Sequence, residues 1–164
     1  MAQVSIEAAA SVMMPISTMR LATTADLATL LPLMHRYYRD DGLEFDESRA
    51  SATLTRLLNE PQWGRVFLIE ADGAAIGYVA ICIGFSLELG GNDAFVDELF
   101  VLPEHRGRGH ARRALEFVVA AARSWGITAL HLEVDRDNLG AQHLYAQLGF
   151  EKRARYYLMT FQSE

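Results

Sequence analysis

The sequence predicts one α/β domain of the α+β type, a mixed central sheet of six to seven strands flanked by about four helices. Three observations carry that expectation. Two β-rich runs, "RVFLIEA" and "AAIGYVAICIGFS", meet at Ala71-Asp72-Gly73-Ala74, whose aspartate and glycine tolerate the positive φ of a tight hairpin. A second short turn, "LGGND", leads into a further run at 94–101, so three successive strands pair antiparallel. An amphipathic helix then separates that strand from "ITALHLEV", and a strand pair bridged by a helix is parallel, as in a βαβ unit.

Taken in order, "ISTMRLAT" alternates as a first strand. "TTADLATLLPLMHRYYRDDG" has a threonine cap, apolar positions 27, 30, 31, 34 and 38, and a closing Gly42, which predicts a helix bent at Pro32. "DESRASATLTRLLNE" gives a second helix with Asp46 as cap and Pro61 beyond its end. After the strands at 65–101, Ala111, Leu115, Val118, Val119 and Ala122 make one apolar stripe, leave Arg112, Arg113, Glu116 and Arg123 outside, and stop at Gly126. "DRDNLGAQHLYAQLGF" predicts a short helix capped by Asp137 or Asn138 and ended by Gly149, before two final strands around "YYLMTF". No repeat, linker or low-complexity stretch interrupts this order.

Residues 16–164 read as the domain, long enough to bury about two-thirds of the surface of its unfolded chain. Residues 1–15 follow neither period and read as a flexible tail. Half the residues are apolar and 22% are charged, which fits a packed protein and not a disordered or fibrous one. The formal charge, 15 minus 21, is −6, so general attraction to nucleic acid is not expected, although a local basic patch can still hold a phosphorylated small molecule. No apolar run reaches the roughly 18 residues of a membrane span, and the chain reads as cytoplasmic. Cys82, the single cysteine, sits in "YVAICIGF" as a small buried hydrophobe. The five histidines show no ligand pair on one helix face, so no metal is expected, and no G-x-S-x-G elbow supports a hydrolase.

The chemistry concentrates at "HRGRGHARRAL", where a strand gives way to a helix. Amides at a helix start lack intrahelical partners and carry the positive end of the dipole, so they favour a phosphate. Gly107 and Gly109 expose such amides, while His105, Arg106, Arg108, Arg112 and Arg113 surround them with positive charge. A dinucleotide fingerprint fits poorly, because the third glycine is missing and "LPEHR" separates the corner from its strand.

The corner, with Arg106, Gly109 and Ala111, resembles the R/Q-x-x-G-x-G/A signature of the GNAT superfamily of acetyl-CoA-dependent N-acetyltransferases. The resemblance extends through "LEVDRDNLGAQHLYAQLGF" and covers nearly the whole domain. It implies acetyl-CoA as cosubstrate, with the backbone of Leu99, Phe100 and Val101 beside the pantetheine arm. It further implies that amides from Gly107, Arg108, Gly109, His110, Ala111 and Arg112 hold the pyrophosphate, with Asn138 on the opposite side. His110 departs from an apolar position of the pattern, facing the phosphates or capping the helix.

Acetyl transfer needs a neutral amine, and an alkylamine with pKa near 10 is neutral in only about one molecule per thousand at pH 7, so a base must take its proton. Asp97 and Glu98 interrupt an apolar strand, and alternation puts them on opposite faces. Glu98 is the first candidate base and Asp97 the second, ahead of Glu133 and Asp135. Tyr145 shares a helix face with Ala141, Leu144 and Leu148, and the resemblance puts it beside the cofactor sulfur as the acid. "DDGLEFDE", with five carboxylates, would welcome a cationic acceptor, with Tyr38, Glu44 and Phe85 completing the pocket alongside Tyr37, Phe45 and Glu88. A polyamine-like compound, an amino acid derivative, an antibiotic amine and a protein N-terminus all fit that description. The expected activity is N-acetyl transfer to a primary amine in a ternary complex; the alternative is a non-catalytic acyl-CoA-binding regulatory module. The apolar final strands allow a homodimer.

Overall fold

The computed structural model describes residues 16–162; the tail expected at 1–15 lies outside them. The elements follow the predicted order: β1 (Thr18–Leu21), α1 (Leu27–Asp40), α2 (Glu47–Asn59), β2 (Gly64–Ala71), β3 (Ala74–Ser86), β4 (Gly91–Val101), α3 (His110–Ser124), β5 (Ala129–Leu132) and α4 (Leu139–Gln147). Local chemistry sets their ends. Asp26 accepts from the Thr23 amide at 2.8 Å in a capping box ahead of α1, Asp46 Oδ1 accepts from the Arg49 amide at 3.0 Å to start α2, and Asn138 Oδ1 accepts from the Ala141 amide at 3.0 Å to start α4. Helix α1 runs through Pro32 without interruption.

The strands form one sheet in the order β1-β2-β3-β4-β5. The first four are antiparallel, and β5 pairs parallel to β4 from Asp93–Ala129 to Val96–Leu132. Alternation along the central strands splits the core into two layers. Val66, Leu68, Tyr78 and Ala80 face α1 and α2, where they pack on Leu30, Leu33 and Leu54. Phe67, Val79 and Ile81 face Leu115 and Val118 of α3.

Two sequence expectations need correction. The described residues contain a five-stranded sheet rather than six or seven strands, because 151–162 pair with no neighbour. Tyr157, Leu158, Met159 and Phe161 are all at least 74% exposed, and a strand without burial or ladder bonds has little to hold it. The second correction concerns β4. Ala80 pairs with Glu98 but Ile81 pairs with Val96, so Asp97 is an extra residue in a β-bulge. The bulge reverses the parity of the strand. Ala94 and Val96 point to the α3 layer, whereas Phe100 points to the α1–α2 layer.

Candidate active site

Beyond Val96 and Leu132 the parallel pairing of β4 and β5 stops, and the strands separate around a cleft of about 860 Å³. Leu99, Phe100 and Val101 line one wall; Glu133, Val134, Asp135 and Asn138 line the other. At its end lies the glycine corner, with Arg106, Gly107, Gly109, His110, Ala111 and Arg112 on the cleft and Arg108 off it. Gly107 and Gly109 have φ of 75° and 79°, and nothing lies within 4 Å of where a Cβ would project. Left-handed backbone at both positions turns the chain so that α3 begins with open amides. These features fit the diphosphate and extended arm of acetyl-CoA: a strand edge without a partner, a roomy corner and unpaired helix-start donors.

Arg106 does not point freely into the corner. Its Nε donates to the Val101 carbonyl at 2.9 Å, its Nη2 lies 3.4 Å from Asp40 Oδ2, and its guanidinium sits over the Phe100 ring. It ties the end of β4 to α1. Arg112 instead bonds Gln147 of α4 and approaches Glu116. His110 neither caps α3 nor opens to water: it is 2% exposed with no hydrogen-bond partner among the described residues for either ring nitrogen, in the buried place of an apolar residue. Burial and the nearby Arg113 lower its pKa, so the ring is neutral. Asn138 spends its Oδ1 on the α4 cap, which leaves its amide nitrogen for the cleft.

The β4 bulge brings both carboxylates to one place. Asp97 and Glu98 line a cavity of about 270 Å³ between α1, α2 and the sheet, so the expectation of opposite faces is overturned. Glu98 Oε1 accepts from the Tyr38 hydroxyl at 2.9 Å and Oε2 from the Tyr78 hydroxyl at 2.6 Å. Desolvation raises the Glu98 pKa above the ordinary carboxylate value, the two tyrosine bonds oppose that rise, and Asp97 adds to it. Burial likewise raises all the nearby phenols, Tyr37 to about 12, so they stay protonated and act as donors to Glu98 or as neutral wall. Adjacent residues divide the two spaces: Tyr37 and Leu99 line the cleft, Tyr38 and Glu98 the cavity.

Tyr145 is half-buried in the cleft wall, and burial raises its pKa. Of the expected acceptor residues, Tyr38 and Phe45 line the cavity and Glu44 and Phe85 do not. Phe85 pairs with Asn92, five residues along β3 from the Ala80–Glu98 pair, which is about 17 Å of extended chain. Glu88 is near Arg153 instead. The acidic loop does not wall the cavity as expected: Asp40 and Asp41 line the cleft, and only Asp46 of the carboxylates at 40–47 reaches the cavity. Sequence reading missed Tyr78, whose one signal is a hydroxyl-bearing residue in the middle of an apolar central strand. Cys82 is half-buried, and burial raises its thiol to about 11. Among the described residues no group of three or more His, Cys, Asp or Glu is placed to hold a metal ion, and no helix is long and apolar enough to cross a membrane.

Comparison with known proteins bears on the fold and the family. An uncharacterised N-acetyltransferase of Mycobacterium bovis is 29% identical over 106 residues, 65% of this chain and 64% of that protein. One of Bacillus subtilis is 29% identical over 133 residues, covering 81% of this chain and 89% of the relative. The crystal structure of an integron cassette protein from a salt-marsh metagenome superimposes with a TM-score of 0.80 at 32% identity, over 89% of this chain and 91% of that one. Residues 29–150, which carry the cavity, the bulge, the corner and α4, match the family described as Acetyltransferase (GNAT) family, and the chain belongs to that family.

Proposed function

We propose that this chain transfers an acetyl group from acetyl-CoA to a primary amine of a small molecule or peptide, by direct attack in a ternary complex. The observation that carries the reading is Glu98: a half-buried carboxylate with a raised pKa, held by two phenols, at the boundary between a cavity and the cofactor cleft. Such a group is a stronger base than an exposed carboxylate, which suits it to taking a proton from an ammonium. Acetyl-CoA, when bound, supplies the thioester carbonyl carbon. The cleft walls at Leu99–Val101 and Asn138 hold the arm, and the amides of the glycine corner hold the diphosphate.

Glu98 takes the amine's proton, with Asp97 as the second carboxylate in the same cavity. The freed nitrogen lone pair forms the new C–N bond as the C–S bond breaks. Tyr145 gives its phenolic proton to the departing sulfur, and the second proton, shed by the new amide nitrogen, restores the phenol, so the net proton released is the one on Glu98. Burial keeps that phenol protonated until the thiolate needs it. A module that only binds acyl-CoA gives no reason to hold a carboxylate desolvated beside the site, so the catalytic reading is the better one. Replacing Tyr145 with phenylalanine tests it: kcat for thiol release falls by about 10²-fold while calorimetry still records CoA binding. A variant with unchanged kcat removes Tyr145 from the mechanism, and a wild type that binds CoA but releases no thiol with a broad amine panel favours the module.

A further inference from the structure

We propose that two copies of this chain pair through one apolar patch, formed by the segment 151–162 together with the tip of the β3–β4 hairpin. The pairing stands apart from the acetyl-transfer reading: turnover plays no part in its test. Tyr156, Tyr157, Leu158, Met159 and Phe161 are 59–93% exposed, and at the hairpin tip Phe85 and Leu87 are 69% and 90% exposed. Arg153 Nη2 lies 3.3 Å from Glu88 Oε1, which brings the two strips together. Tyr156, Tyr157 and Leu158 also border a groove of about 400 Å³ whose other side is Phe95, Leu130 and Leu132 of β4 and β5.

Area and charge choose the occupant. At 150–250 Å² apiece the four rings leave about 600 Å² open, and the three aliphatic chains bring the patch to about 800 Å². That is what each partner of a stable interface covers, and it exceeds the few hundred Å² that a monomer ordinarily leaves bare. Both signs of charge stand in the patch: Arg136, Lys152, Arg153 and Arg155 among Glu88, Glu133 and Glu151. A nucleic acid or an anionic bilayer would meet those carboxylates along with the cations, whereas a two-fold axis lets each sign face its opposite on a second copy and closes the assembly at two. Among the described residues β5 pairs with β4 alone, so its outer edge also offers unpaired N–H and C=O groups to an extended segment of the partner. Glu133, Val134 and Tyr145 line both this groove and the cofactor cleft, so the second copy backs the wall of the cleft.

Analytical ultracentrifugation of the full chain, from micromolar to sub-millimolar concentration, is the test, and the expected species is a closed dimer of twice the chain mass. Leu158→Glu combined with Phe161→Glu buries two charges in the interface and weakens the dimer about 30-fold or more. Leu87→Glu, on the separate hairpin strip, weakens it about tenfold or more. All three side chains are open to water in the single chain, so urea melts of the dilute variants match the dilute wild type. Should the double variant fail to fold, Leu87→Glu decides. Hydrogen exchange of the 156–161 amides slows as wild-type concentration rises and stays fast in Leu87→Glu at the same concentrations. A monomer throughout, a dimer untouched by these variants, a polydisperse series of larger species, or slow exchange at 156–161 at every concentration, which would mean that the chain covers its own segment, overturns the pairing.

Discussion

Replacing Glu98 with glutamine removes the charge and the proton-accepting ability of the proposed base while keeping its shape. Glutamine can still accept from one of the two tyrosine hydroxyls and donate to the other, so the pocket keeps its packing. General-base catalysis contributes about 10²–10⁴-fold. The bulge leaves Asp97 in the same cavity as a substitute acceptor, which puts the loss at the low end, about 10²-fold in kcat or about 2.7 kcal/mol of barrier. Removing both carboxylates, Asp97→Asn with Glu98→Gln, brings the loss toward about 10⁴-fold. Steady-state thiol release over a pH range is the assay. In the wild type kcat/KM falls as pH drops through the raised Glu98 pKa, because the protonated carboxyl cannot accept the amine's proton. The single variant loses that limb. Tyr38→Phe removes a bond that stabilises the carboxylate, so its limb moves to higher pH. The same shift has a stability signature. A carboxyl whose folded pKa lies above its unfolded value binds more protons when folded, so it lowers stability as pH rises between the two values. The thermal midpoint of Glu98→Gln therefore exceeds that of the wild type at pH 8, and the difference closes at pH 4. A variant that keeps wild-type kcat and the same acidic limb refutes Glu98 as the base.

Further predictions follow from the corner and the core. Gly109→Ala puts a side chain on a residue at φ of 79°, which costs about 1–2 kcal/mol of stability in a urea melt, and its methyl enters the cleft, so CoA affinity by calorimetry weakens as well. Gly77→Ala is worse for a different reason: its Cβ would lie 2.1 Å from the Phe100 carbonyl oxygen, so β3 and β4 must separate, and a loss above about 3 kcal/mol is expected in the same melt. Leu115→Ala, at the centre of the α3 layer and fully buried, costs about 2–5 kcal/mol with little change in the KM for acetyl-CoA.

The amino-acid sequence by itself determined the features whose causes lie within a few residues. Asp46 starts α2, one of the adjacent pair Asp137 and Asn138 starts α4, and Gly107 and Gly109 make the corner, because a cap or a left-handed turn depends on adjacent atoms. The parallel β4–β5 pair was legible as well, since a helix between two strands leaves little other choice. Tertiary structure alone decided which face Glu98 occupies. Alternation puts Asp97 and Glu98 on opposite sides, and only the register against Ala80 and Ile81 shows the extra residue that gathers them. Tyr38 and Tyr78 stand 60 and 20 residues from Glu98 in the chain, so no local pattern brings them together. Asp40 meets Arg106 across 66 residues and so turns to the cleft, and 151–162, though patterned as strands, make no ladder with a neighbour. Periodicity fixes what a segment can form; pairing partners and available surface fix what it does form.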